Sequence, residues 1–306
     1  QTARVNRQYS EQLIADVQNL VVDGIRISYR EMGATQSEDQ SEDQAEDQSE
    51  TGSAIGSGDR PEPILLIHGF MGSSYDFHLV MPKLAEKRRV LAVDLPGFGL
   101  SDKSTALDYS KKNMASLMLH FMAALQIEQY AIIGHSMGGE IAIRMALDEP
   151  GRISRLVLLS SGGSRDIQRG FSGTAPEWLL ESVFKNYLIQ RLYFPMAVGS
   201  IRHAAASSFD PFFYFNKQIP AATLNQMTRD NDSGAVAGRL GDIGQPSLLV
   251  WGDQDRVIPL AQGHVLDERI PDSRLIIYEN CGHLVALERA DSLLADLADF
   301  LAATPD

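Results

Sequence analysis

Cysteine is nearly absent from this 306-residue chain. Cys281 is the one thiol, so no internal disulfide forms and the fold must rest on its core. Long apolar runs are missing as well: no stretch of about 20 apolar residues occurs, which excludes a membrane-spanning helix. Basic residues are outnumbered, 27 Lys and Arg against 40 Asp and Glu, for a net charge of −13. That balance repels phosphate and argues against a nucleic-acid partner. One cysteine and seven scattered histidines are too few for a structural zinc site, and nothing asks for a metal or a cofactor. The chain starts Gln1-Thr2 rather than with Met, which is read as a lost leader or a trimmed start. The sequence does not fix the compartment: a lost leader would imply a periplasmic or membrane-associated protein, and the alternative is cytoplasmic.

Much of the negative charge is local. Residues 36–50 repeat Gln-Ser-Glu-Asp with small variations and hold seven acids and no base. Such a segment cannot bury enough apolar area to offset its ordering entropy, so residues 35–60 are expected to form a disordered insertion. The repeat lacks the glycine and the ligand alternation of a calcium loop.

Outside it, apolar residues make up 44% of the chain, enough for a sizeable core. Residues 9–20 place Leu13, Ile14, Val17 and Leu20 at helical spacing. This helix is expected to pack on the domain, with peripheral membrane contact as the alternative. Asp23-Gly24 predicts a hairpin over Val21–Tyr29. Strands are then predicted at 63–67, 89–93, 130–133, 155–159, 247–251 and 274–278, with helices at 75–86, 112–125, 137–148 and from 287 onward. Strand–helix alternation implies a parallel sheet covered on both faces.

The chemistry concentrates at Gly134-His135-Ser136-Met137-Gly138. A strand precedes it and a helix pattern follows, which is the context of a nucleophile elbow. A serine needs a base, and the base needs an orienting group. His283, in the loop after strand 274–278, is the best-placed histidine. Two aspartates follow strand 247–251. Asp253 suits a hydrogen bond to the turn backbone; Asp255 lies further out, where its side chain reaches toward His283, and is preferred. An oxyanion would be held by the N–H of Met137 and by that of Phe70, which follows the strand ending His68-Gly69.

Taken together, His68-Gly69-Phe70, Asp94-Leu95-Pro96-Gly97-Phe98-Gly99-Leu100-Ser101, Gly134 to Gly139, Gly252-Asp253-Gln254-Asp255 and Cys281-Gly282-His283 resemble the α/β-hydrolase superfamily. The resemblance spans roughly residues 20–303. It implies an α/β-hydrolase fold: a mostly parallel sheet with helices on both faces, built from residues 1–161 and 245–306, and an inserted helical cap at 162–244. It also implies that the acidic insertion joins the sheet edge, away from the catalytic end. The layout is similar to bacterial lipases and esterases, and to carbon–carbon bond hydrolases of aromatic degradation. Serine at the elbow departs from epoxide hydrolases and haloalkane dehalogenases, which carry Asp there.

The expected activity is therefore hydrolysis of a small-molecule or lipid carboxylic ester with a hydrophobic acyl part, by Ser136, Asp255 and His283. The alternatives are cleavage of a vinylogous diketone and non-catalytic binding of an apolar ligand. The cap segment is rich in large apolar residues, from Trp178 to Phe194 and again over Phe209–Phe215. Some form the cap's own core. Phe212, Phe213 and Phe215 are expected to contribute to an apolar pocket with Phe70, Met71, Leu284 and Val285. Arg165, Arg169, Arg191 and Arg202 are candidates for holding the carboxylate of a diketone substrate.

Overall fold

Val17–Val22 (β1) and Ile25–Met32 (β2) form an antiparallel hairpin across Asp23 and Gly24. Both turn residues have positive φ, 52° and 79°, as a tight two-residue turn requires. The computed structural model describes residues 13–33, 61–164, 175–199, 206–232 and 234–302. The acidic stretch at 35–60 lies outside the described residues. The hairpin corrects the predicted helix over 9–20, of which residues 9–12 are also outside them. Leu13 and Ile14 belong to a short helical turn, but Asp16 at φ 62° ends it and Val17 starts a strand. Val17 and Leu20 fit the helical period; pairing of six residues with β2 makes the stretch a strand instead.

The sheet then follows the predicted alternation. Ile64–Ile67 (β3) precedes a 3₁₀ turn at Ser74–Phe77 and a short helix, Met81–Ala85 (α1). The sequence pattern predicts one helix over 75–86; Pro82 is tolerated only in a first turn, so the helix begins next to it. Val90–Val93 (β4), Lys111–Ala124 (α2), Tyr130–His135 (β5), Met137–Asp148 (α3) and Ile153–Leu159 (β6) come next. Between β6 and Ser247–Gly252 (β7) the described residues form Glu177–Phe184 (α4), Tyr187–Tyr193 (α5), Ala206–Asn216 (α6) and Ala221–Arg229 (α7). Leu260–Arg269 (α8), Ser273–Tyr278 (β8), Val285–Glu288 (α9) and Ala290–Ala302 (α10) finish the chain.

The eight strands lie in the order β1-β2-β4-β3-β5-β6-β7-β8, with β2 alone running against the others. Alternate residues of the central strands enter two separate apolar layers. Leu65, Ile67, Ile132, Leu156, Leu158, Leu249 and Trp251 face one, and Ile64, Leu66, Ile133, Val157, Leu248 and Val250 face the other. Both faces are therefore covered, which is why these strands read as unbroken apolar runs. A sheet of this kind collects functional groups at the carboxyl ends of its strands.

Candidate active site

Ser136 stands at the end of β5 with φ 54° and ψ −117°, a conformation that costs a non-glycine residue about 1–3 kcal/mol. The surroundings hold it there. Its N–H donates to the Leu159 carbonyl at 2.9 Å, and its own carbonyl accepts from the N–H groups of Gly139 (3.1 Å) and Gly162 (2.9 Å). The flanking glycines are needed for space. A Cβ on Gly134 would come within 2.5 Å of the Gly138 carbonyl oxygen, and one on Gly138 would collide with the carbonyl of Ile67. Only bare backbone lets α3 start so close to β3 and β5.

His283 lies in the loop between β8 and α9. Its Nδ1 is 2.8 Å from Asp255 Oδ2. A carboxylate oxygen only accepts, so Nδ1 carries the proton and Nε2 keeps the lone pair of a base. Asp255 is held in turn: its Oδ1 accepts from the N–H groups of Val257 and Ile258, both at 2.9 Å. Burial alone would push its pKa up, but the His283 hydrogen bond and charge, with those two N–H groups, keep its carboxyl below the usual range. The turn carrying it is fastened to the core by Trp251, whose Nε1–H donates to the Ile258 carbonyl at 2.9 Å. Asp253 makes a different contact, accepting the Cys281 N–H at 3.3 Å.

The loop after β3 faces this arrangement. His68 Nε2 accepts from the Leu95 N–H at 3.0 Å, so the proton is on Nδ1, which donates to the Gly69 carbonyl at 2.7 Å. The same carbonyl accepts from the Gly72 N–H at 3.0 Å. Met71 sits at φ 62°, and its carbonyl accepts from Asn216 Nδ2 at 2.8 Å. Together these bonds fix the peptide planes around Phe70. Gly69 abuts the elbow: a Cβ there would be 2.8 Å from Ser136 Cβ. Met137 opens α3, where main-chain N–H groups have no partner within the helix. Met137 thus adjoins Ser136 in the chain, and Gly69, the residue before Phe70, adjoins it in space.

The expected pocket residues separate. Phe70 is half exposed, with its ring edge-on to Phe98 at 5.5 Å. Phe212, Phe213 and Leu284 pack against a small cluster of Phe194, Val198 and Phe209 in the β6–β7 segment. Phe215 is buried, edge-on to Tyr214 at 5.3 Å. Val285 corrects its expectation: it is fully buried in the apolar layer that also holds Leu248, Val250 and Leu293. As the first residue of α9, it is drawn against the sheet rather than toward an open face. Arg191 is exposed, its guanidinium 5.2 Å from the Phe209 ring centre. Arg165, Arg169 and Arg202 lie outside the described residues.

His135 adjoins the serine in the chain, and the sequence favours His283 over it as the base. Its ring lies 4.7 Å from that of His283, and its Nε2 is 2.9 Å from the His283 carbonyl. A carbonyl only accepts, so Nε2 carries the proton. No local signal marks this bond, which joins residues 148 apart. Burial above all, and then the charge of His283, push His135 down to about 3. The folded protein thus binds fewer protons here than the unfolded chain between pH 6.5 and about 3, and stability falls as pH drops through that window. A glutamine side chain in its place would keep an Nε2 donor and remove the titration. We expect His135→Gln to lose less stability than the unaltered protein between pH 7.5 and 4.5, by on the order of 2–3 kcal/mol. Urea unfolding at the two pH values measures this; equal losses in both proteins would refute it.

Comparison with known proteins agrees with this fold. The family model described as alpha/beta hydrolase fold matches residues 62–196 and 197–290. An uncharacterized hydrolase, YugF, of Bacillus subtilis (strain 168) is 32% identical over 253 residues, 78% of this chain and 90% of its own. A 2-hydroxymuconate semialdehyde hydrolase of Pseudomonas sp. (strain CF600) is 30% identical over 250 residues, 78% of this chain and 87% of its own. Among solved structures, a putative lipase of Acinetobacter baumannii AYE superimposes with a TM-score of 0.75 at 24% identity, covering 96% of this chain and 95% of that one.

Proposed function

The chain belongs to the α/β-hydrolase family and is a hydrolase, and we propose that it is a serine hydrolase acting on carboxylic esters with a hydrophobic acyl part. The observation that carries this reading is the buried Asp255–His283 pair, its ring 4.7 Å from that of His135, with the strained Ser136 next in the chain at the strand–helix elbow. Ser136 Oγ attacks the ester carbonyl while His283 Nε2 takes its proton. The Nδ1–H bond to Asp255 stabilises the resulting imidazolium. The N–H groups of Phe70 and Met137 hold the oxyanion as the tetrahedral intermediate forms. His283 then returns the proton to the leaving alcohol, and water repeats the sequence on the acyl-enzyme. The residues between β6 and β7 act as a cap over the serine. Exposed Trp178, Leu188 and Leu192 on α4 and α5 suit an apolar substrate.

The 30% identity to 2-hydroxymuconate semialdehyde hydrolase favours a second reading, hydrolysis of a carbon–carbon bond by the same three side chains. That substrate class carries a carboxylate and needs a cation to hold it. Arg191, exposed and set over Phe209, is poorly suited to that task. The deciding experiment measures kcat/KM for p-nitrophenyl acetate, butyrate, octanoate and palmitate beside a vinylogous diketone acid. We expect turnover of the esters. Turnover of the diketone with none of the esters would replace the first reading by the second.

A further inference from the structure

The main chain around His283 is held on every side. The His283 N–H donates to the Ala197 carbonyl at 2.9 Å, and its carbonyl accepts from His135 Nε2 at 2.9 Å. On either side of it, the N–H groups of Gly282 and Leu284 donate to one carboxylate, that of Glu288, at 3.1 Å and 3.2 Å. The same carboxylate accepts the Gly199 N–H at 2.8 Å. Glu288 is only 6% exposed. An ionised carboxylate in such a place must have its lone pairs filled, and here three main-chain donors from two separate segments fill them. The two segments touch directly. A Cβ on Gly199 would lie 2.6 Å from the Gly282 nitrogen, and one on Gly282 would collide with the nitrogen of Gly199.

We propose that Glu288 is a positioning residue that clamps the His283 loop to the β6–β7 segment and so sets where the imidazole stands over Ser136. The inference rests on the serine mechanism above. The Asp255 bond holds the ring at Nδ1 only, and about that point the ring can still pivot. The location of Nε2 therefore depends on the backbone on which the side chain is mounted. Glu288 fixes that backbone one residue before and one residue after the histidine. Through Gly199 it also makes the base's position depend on the β6–β7 segment.

Glu288→Gln and Glu288→Asp in the full chain test this. Glutamine turns an NH₂ toward main-chain N–H groups, donor against donor. Aspartate keeps the charge with a shorter reach. We expect Glu288→Gln to lower kcat about 100-fold, the cost of misplacing a catalytic group by about 1 Å, with KM changed less than about threefold. The downfield proton resonance of the Asp255–His283 bond should shift or broaden, while circular dichroism shows a folded protein at the assay temperature. Glu288→Asp should fall between the two. Unchanged kcat and resonance in folded Glu288→Gln would overturn the clamp. Should that variant not fold, Glu288→Asp decides: wild-type kcat and resonance there would reduce Glu288 to a structural role. Ester turnover by the unaltered chain is the control. If it is missing while the resonance still responds to Glu288, the serine–ester reading fails and the clamp stands. If it is present and neither kcat nor the resonance responds, the clamp alone fails.

Discussion

Ser136→Ala removes ester hydrolysis to near background and leaves the protein folded. The expected loss in kcat is on the order of 10⁶-fold, the scale seen when the nucleophile of such a unit is deleted. The fold should survive because the elbow is held by main-chain bonds, from the Ser136 N–H to Leu159 and from Gly139 and Gly162 to the Ser136 carbonyl, none of which needs the hydroxyl. Alanine meets the same backbone strain at φ 54° as serine, so the melting temperature should move by a few degrees at most. The measurement pairs kcat on p-nitrophenyl butyrate with a thermal melt and with fluorophosphonate labelling. A pure, folded variant that kept more than a few per cent of turnover would remove Ser136 from the mechanism.

Asp255→Asn should cost about 10⁴ in kcat, and the reason is a proton in the wrong place. Asparagine can still accept the Val257 and Ile258 N–H groups through Oδ1, so the turn keeps its shape. Its NH₂ then faces His283 Nδ1, which must become the acceptor. The ring proton moves to Nε2, and the lone pair that would take the serine proton is gone. Asp253→Asn should change kcat less than about threefold, because the Asp253 carboxylate accepts the Cys281 N–H and asparagine can still accept it. Rates for both variants between pH 6 and 9 make the comparison. A larger loss at 253 than at 255 would exchange the two assignments.

The contrast between these aspartates shows how far local pattern reached. Gly252-Asp253-Gln254-Asp255 after an apolar strand placed both carboxylates at one strand end, and spacing favoured the outer one for the histidine. The elbow was legible because its demands are local: a strand, small flanks and a helix start. The central strands were legible because buried parallel strands read as apolar stretches, β3, β4, β5 and β7 being buried along their whole length. The first strand was not. Leu13, Ile14, Val17 and Leu20 fit a helical period, and only the pairing with β2 makes residues 17–22 a strand. Val285 was misjudged for a related reason. Adjacency to His283 suggested a shared pocket, but the turn into α9 sends its side chain into the core.

Sequence alone determined the alternation of elements, the elbow, and the chemical types that follow the strands. Each of these follows from covalent neighbours, through hydrophobic period, glycine spacing and chain order. Tertiary structure alone decided which groups hold the histidine. Ala197, His135, Glu288 and Gly199 converge on residues 282–284. On residues 282–284 the groups that are held are main-chain N–H and carbonyl groups, which every residue carries. They become specific only when folding buries them and leaves each a single partner within reach, so no residue code marks them in advance.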